Sequence, residues 1–311
     1  GALVRVINGS SYGFNFPSDI IGANTVASDG THVWFANSNA NSVTELQAST
    51  GALIRVIAGP GYGFNAPQDI ASDGTHIWVA NSGSNSVTEL QASTGALVRV
   101  LSGSSYGFNG LSEISSDRTH VWVASFGTNS VTELQASTGA LVRVIKGSRA
   151  GFNEPQALTS DGTHVWVVNL HLNSVTELLT ATGAFVRVIS NAFNGSPIAI
   201  ASDGTHVWVA NYGSNSVTEL LASTGAVVRV ISNPSYGLNQ PDAIASDGTH
   251  VWVANSNGNS VTELRASTGA LVRVINGTSD GFNNPEAIAS DGTNVWVANY
   301  GSNSVTEFSA V

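Results

Sequence analysis

Seven tryptophans recur along the 311 residues at nearly constant spacing: Trp34, Trp78, Trp122, Trp166, Trp208, Trp252 and Trp296. The intervals are 44, 44, 44, 42, 44 and 44 residues. Self-similarity at a fixed period marks repeat architectures, in which each unit is a supersecondary element that buries its apolar faces against its neighbours. Each tryptophan lies in a unit like Ser72–Leu101, which reads SDGTHIWVANSGSNSVTELQASTGALVRVL. Two length changes fall outside that unit. One is a six-residue insertion around Ile21 to Val26, the other a two-residue deletion near Asn191 to Gly195.

The second unit contains four short apolar runs: Asp69–Ser72, His76–Ala80, Ser86–Gln91 and Ala96–Leu101. Valine, isoleucine, threonine and tryptophan fill them, which is strand composition. Asp73-Gly74 separates the first two runs, a hairpin signal because both turn positions tolerate positive φ. Ser93-Thr94-Gly95 separates the last two, with Gly95 suited to the left-handed position of a three-residue loop. No segment sustains a 3.6-residue apolar period, so helix should be nearly absent.

Four antiparallel strands per unit, seven times over, predict an all-β chain folded as a seven-bladed β-propeller. A solenoid would need distinct polar caps at its ends. The ends here complement each other instead. Gly1–Ile7 reads as a fourth strand with no blade before it, and Ser304–Phe308 as a third strand with no fourth after it. Residues 1–7 should therefore complete the blade of residues 285–308. That closes residues 1–311 into one domain and brings Arg5 near Glu307.

The segments Asp73-Gly74, Ile77-Trp78-Val79-Ala80-Asn81, Ser86-Val87 and Thr94-Gly95 resemble the YVTN family of propeller repeats, with NHL-type repeats as a looser relative. The aspartate usual in that family after the third strand is absent. Gln47, Gln91, Gln135, Leu179, Leu221 and Arg265 stand near that place. The resemblance covers essentially the whole chain and implies the propeller fold. It implies little about activity, because such folds host many functions. Virginiamycin-inactivating lyases are similar seven-bladed propellers with a bound magnesium, so one alternative is a metal-assisted lyase or hydrolase. His171 with Glu154 or Glu113 is the asymmetric set this chain offers for that chemistry, and it matches no family motif.

Composition narrows the function classes. Charged residues make up 10% of the chain, against ~25% in a typical globular protein. The net charge of −10 argues against nucleic acid and anionic membrane surfaces as partners. No run of 18 apolar residues suggests membrane insertion by a helix. Cysteine is absent, which excludes disulfides and thiolate chemistry. Methionine is absent too, even at the start. This points to a chain processed, excised from a longer one or designed. A chain without oxidisable sulfur suits an extracellular or cell-surface setting, although no secretory signal peptide is present.

The charges divide between repeat and departure. Of the 21 acids, seven are turn aspartates equivalent to Asp73 and seven are glutamates equivalent to Glu89. The remaining seven are Asp19, Asp69, Glu113, Glu154, Asp242, Asp280 and Glu286. All seven fall between a fourth strand and the next Asp-Gly turn. Seven arginines equivalent to Arg99 recur, leaving Arg118, Lys146, Arg149 and Arg265 outside the pattern. Glu89 should fall opposite Arg99, giving seven cross-strand pairs that keep the exposed outer edges charged against strand addition.

In a propeller the inter-blade connections and the loops between second and third strands share one rim. The two tight hairpins share the other. The seven unshared acids should make the connection rim acidic, and the hairpin face should offer only similar turns.

Six histidines, His32, His76, His120, His164, His206 and His250, occupy one hairpin slot that Asn294 fills in the seventh unit. A slot repeated six times reads as structural. His171 stands apart, within Asn169-Leu170-His171-Leu172-Asn173, where sister loops read Asn-Ser-Gly-Ser-Asn or Asn-Tyr-Gly-Ser-Asn. Phe126, Tyr212 and, farther round, Tyr300 sit one residue earlier than His171 in equivalent loops. Aromatics and leucines on one rim could stack on a sugar or an apolar ligand. Recurrent Gly-Phe-Asn motifs, at Phe14, Phe64, Phe108, Phe152 and Phe282, read as anchors for long connections.

Asp69, Glu113, Asp242 and Glu286 enter the first strands near the channel mouth, where carboxylates could hold calcium or magnesium. Asp69 and Glu113 stand one residue later in the repeat than Asp242 and Glu286. Strand alternation then aims the two pairs at different faces, which weakens a shared metal and favours no cofactor. The leading expectation is a binding or display module without catalytic residues. Its ligand-binding residues are Phe126, Leu170, His171, Leu172 and Tyr212, and its partner is a protein or carbohydrate on the connection rim. The third alternative is a repeat-amplified or designed protein with no specific ligand.

Overall fold

The computed structural model describes residues 2–16, 25–147, 151–193 and 195–310. Seven four-stranded antiparallel sheets stand in a ring, and each is one sequence repeat. In the second blade the strands are Pro67–Ser72, His76–Asn81, Ser86–Gln91 and Leu97–Ser102, from the channel outward. The seventh blade has Pro285–Ser290, Asn294–Asn299 and Ser304–Ser309 from the end of the chain, and Leu3–Ile7 from its beginning. The expected closure is present. Arg5 lies opposite Glu307 and Val6 opposite Thr306, and Arg5 Nε is 2.9 Å from the Glu307 carboxylate. Helix is confined, among the described residues, to three-residue 3₁₀ turns.

Every tryptophan is fully buried, and each fills the seam to the next blade. Trp78 packs with Ile114, Val121, Val123 and Leu134 of the third blade. Trp34 packs with Ile70, Ile77, Val79 and Leu90 of the second. The Gly-Phe-Asn anchors behave as expected: Tyr12 stacks on Phe14 and Tyr106 on Phe108, with ring centroids 5.5 and 5.2 Å apart.

A second seam is made by asparagine. The residue before each third strand is Asn41, Asn85, Asn129, Asn173, Asn215, Asn259 or Asn303, each left-handed at φ 44 to 51°. Asparagine tolerates that conformation because its short polar side chain bonds locally. Each side-chain carbonyl accepts a backbone N–H from the next blade's connection at 2.7–2.9 Å. The bond from Phe16 N–H to Asn303 joins the seventh blade to the first.

The repeated glutamates require a correction. Their predicted partners are right: Glu89 faces Arg99, and all seven pairs close at 2.6–2.9 Å. The glutamates do not decorate an exposed edge, however, because Glu45, Glu89 and Glu219 are fully buried. The third strand is interior in this architecture, so only the arginine reaches solvent. In six blades the histidine Nε2 also approaches the glutamate at 3.5–3.8 Å. In the second blade a chain therefore runs from the Trp78 Nε1–H to Asp73, His76, Glu89 and Arg99.

Burial raises these glutamate pKa values against the lowering pull of arginine and histidine. Glu307 stands beside Asn294 and lacks the histidine. Burial, opposed by Arg5, pushes it up to about 7. A carboxyl whose folded pKa lies above its unfolded value, ~4.3, holds its proton more tightly when folded. Its contribution to stability is therefore complete below pH ~4.3 and is lost as pH rises through the folded value. The expected result is a melting temperature that falls between pH 5.5 and pH 8. Asn294→His should flatten part of that slope by returning Glu307 to its sisters' environment. A melting temperature independent of pH over that range would contradict the assignment.

Candidate functional site

The two rims are those expected. On one, the loops between second and third strands bond back to the connections: Phe126 N–H donates to Gly110 C=O at 2.9 Å, Leu170 to Glu154 at 3.1 Å, and Tyr212 to Ser196 at 2.9 Å. On the other, the two hairpins of a blade are tied together, as where Ala92 N–H donates to Thr75 C=O at 2.9 Å.

Phe126 lies on the third blade, Leu170, His171 and Leu172 on the fourth, and Tyr212 on the fifth, so these residues occupy consecutive blades of the connection rim. Phe126 and Leu172 are 47 and 48% exposed. His171 is exposed, while Leu170 and Tyr212 are half-buried. The outer end of the Phe126 ring lies against Gly110, where an added Cβ would come within 2.6 Å of it. Sister positions carry Ala66, Glu154, Ser196, Gln240 and Asn284, so Gly110 is the one glycine at this place among the described residues. Tyr300 is corrected as a rim residue. It is buried, stacks on Phe16 at 5.3 Å and donates its hydroxyl hydrogen to Thr25 Oγ1 at 3.2 Å.

The acids also depart from expectation. Asp69, Glu113, Asp242 and Glu286 are all buried, at 0, 2, 2 and 6% exposure. Their charges lie beneath the rim instead of on its surface. Glu154 is exposed, and Asp280 accepts the Gly277 N–H at 2.7 Å. Asp19 and Arg149 lie outside the described residues, as does most of the insertion around Ile21 to Val26.

The alternation argument that separated Asp69 and Glu113 from Asp242 and Glu286 fails, because each inner strand carries a bulge at this point. An extra residue breaks the period of two. Sequence reasoning could not see that bulge. Charges from both groups act on one phenol: burial first, then Glu286, Asp242 and Asp69, hold the Tyr300 hydroxyl well above its usual pKa, against the Thr25 bond. Tyr212 is raised by burial and by Asp242 and Glu286. Asp69 accepts N–H bonds from Ile70 at 2.8 Å and from Ile114 of the next blade at 2.6 Å. Its burial nevertheless raises the carboxyl well above the usual range.

Tyr212 thus joins the exposed apolar patch to a mouth of buried carboxylates. The mouth opens on a channel cavity of about 310 Å³ walled by the inner strands of all seven blades, with Glu113 in its lining. Among the described residues no three His, Asp or Glu side chains converge on a metal-sized site, and His171 and Glu154 are both exposed.

The fold defines the chain as a seven-bladed β-propeller. It superposes on Kuenenia stuttgartiensis hydrazine synthase with a TM-score of 0.75 at 20% identity, covering 94% of this chain and 97% of that one. Catalytically inactive virginiamycin B lyase from Staphylococcus aureus with quinupristin gives a TM-score of 0.74 at 18% identity, with 96 and 98% coverage. The RRP9 WD40 repeats give 0.77 at 14% identity, with 98 and 96% coverage. No family model and no curated protein matches the chain.

Proposed function

We propose that this propeller is a binding module whose connection rim, over the third to fifth blades, receives a protein or carbohydrate partner. The observation that carries the reading is the pairing of half-exposed Phe126 and Leu172 on neighbouring blades, in loops where sister blades have small polar residues. Tyr212 supplies a polar-tipped aromatic at the edge of the patch, suited to stacking on a sugar or an apolar side chain. A propeller of the mitotic checkpoint complex has the same shape, with a TM-score of 0.77 at 14% identity, which supports a protein partner.

The test replaces Leu170-His171-Leu172 with the sister sequence Ser-Gly-Ser and Phe126 with Ser. Stability should change by no more than ~0.5 kcal/mol, as is usual for exposed positions. A panel of neutral oligosaccharides and Leu- or Phe-bearing peptides is titrated against both proteins. Binding to the original chain and at least ~10-fold weaker binding to the variant, about 1.4 kcal/mol, is the expected result. Equal affinity for both would place the site elsewhere.

A further inference from the structure

The hairpin face is not the uniform ring that the repeat suggests. In six blades the residue after the turn aspartate is Gly30, Gly74, Gly162, Gly204, Gly248 or Gly292, at φ 83 to 89°. In the third blade it is Arg118, at φ 74°. An L-residue is disfavoured there because its Cβ crowds the backbone, and glycine is not. Neighbouring atoms do not cause the strain: a Cβ built on any of the six sister glycines meets nothing within 4 Å. The position therefore projects a side chain into open space at a conformational cost. Backbone strain of this kind is found where a side chain is held for use.

The space it enters is the mouth of the central channel. A cavity of about 360 Å³ is bounded by Arg118 together with Ser28, Asp29, Ser72, Asp247, Ser290 and Asp291, from the hairpins of the first, second, sixth and seventh blades. An adjoining cavity of about 410 Å³ runs along the hairpins of the third to sixth blades. Arg118 is the one basic side chain lining either. The seven repeat arginines are each paired with a buried glutamate. Arg118 is exposed and has no ion pair among the described residues.

The turn aspartates around it are turned inward. Their side chains are only 3–8% exposed in the first five blades. Each Oδ1 accepts two backbone N–H bonds, as Asp117 does from Thr119 at 2.9 Å and His120 at 2.7 Å. The Asp117 Oδ2 faces His120 and Trp122. Asp29, Asp247 and Asp291, which share the Arg118 cavity, oppose an incoming anion, but each is partly buried and commits its Oδ1 to two backbone N–H groups, whereas Arg118 is exposed.

We propose that the hairpin-side mouth of the channel is a binding site for an oxyanion group, a carboxylate or phosphate, with Arg118 as its anchor. The planar guanidinium offers a fork of donors that matches two oxygens of either group. Arg118→Gly installs the residue that six sister hairpins already use, so the variant folds. Melting temperatures are measured in inorganic phosphate and in citrate against chloride at equal ionic strength. The original chain should be stabilised by at least one of the two anions. Phosphate alone or citrate alone identifies the preferred source of the group. Arg118→Gly should melt roughly 2 °C higher in chloride, through relief of strain, and should lose the anion-dependent shift. Arg265→Leu, which removes another arginine without an ion pair among the described residues by adopting the residue of the fourth and fifth blades, should keep that shift. No response of the original chain to either anion, or an equal response after Arg118→Gly, overturns the proposal. So does a lower melting temperature of that variant in chloride, which would give the arginine a structural role in its hairpin.

Discussion

Removing residues 1–7 is expected to lower the melting temperature by about 10 °C and to drive the protein into larger oligomers than the full chain forms. The outer strand of the seventh blade comes only from this segment. Without it, Ser304–Ser309 becomes a bare sheet edge carrying Val305 and Phe308, which are now buried. A bare apolar edge is a template for pairing with another chain. Glu307, 1% exposed, would also lose Arg5. Leaving one member of a buried ion pair costs ~3–5 kcal/mol, and each kcal/mol lowers the melting temperature by ~2–4 °C in a domain of 150–250 residues. Size-exclusion chromatography and a thermal melt on the truncated chain give both readouts. A monomer with the original melting temperature would mean that the first strand adds nothing to closure.

The ring, its closure and its tryptophan seams were legible because they depend on period. A large apolar residue every 44 positions, Asp-Gly at one turn and Thr-Gly at the other leave little choice of architecture. What was not legible depends on local breaks in period or on reach through space. The bulge at Pro67/Asp69 leaves no mark that distinguishes Asp69 from an alternating strand residue, so the facing of the channel-mouth acids was misread. The asparagines before the third strands recur as regularly as the tryptophans. Their role lies in a bond to the next blade, and no spacing within one repeat displays it. Burial of Glu89 was missed because a charged residue in a strand is ordinarily exposed. Here a third strand is covered on both faces, and Arg99 and His76 offset the desolvation. At the candidate site, Phe126 and the Leu170–Leu172 loop were visible as departures from the repeat. The connection of Tyr212 to Asp242 and Glu286 required the fold.

Truncating one seam tryptophan is expected to cost ~3–5 kcal/mol, the usual range for loss of a buried Trp or Phe side chain to alanine. Trp78→Ala empties a space walled by Ile114, Val121 and Leu134, residues fixed in strands that cannot collapse inward. It also strips Asp73 of the Trp78 Nε1–H donor, 3.0 Å away. The two terms separate by substitution with phenylalanine, which keeps most of the apolar volume and removes the donor. Trp78 and Trp252 are equally buried, but Trp252 Nε1 has no hydrogen-bond partner among the described residues. Trp78→Phe should therefore be the more damaging of the two by about 1.5 kcal/mol, the low end of the net worth of a hydrogen bond to a charged acceptor. Trp252→Phe should relieve a buried donor and lose only packing. Denaturant unfolding of the two variants measures the difference directly. Equal losses would show that the seams are held by apolar burial alone and that the Trp78–Asp73 bond contributes nothing to the fold.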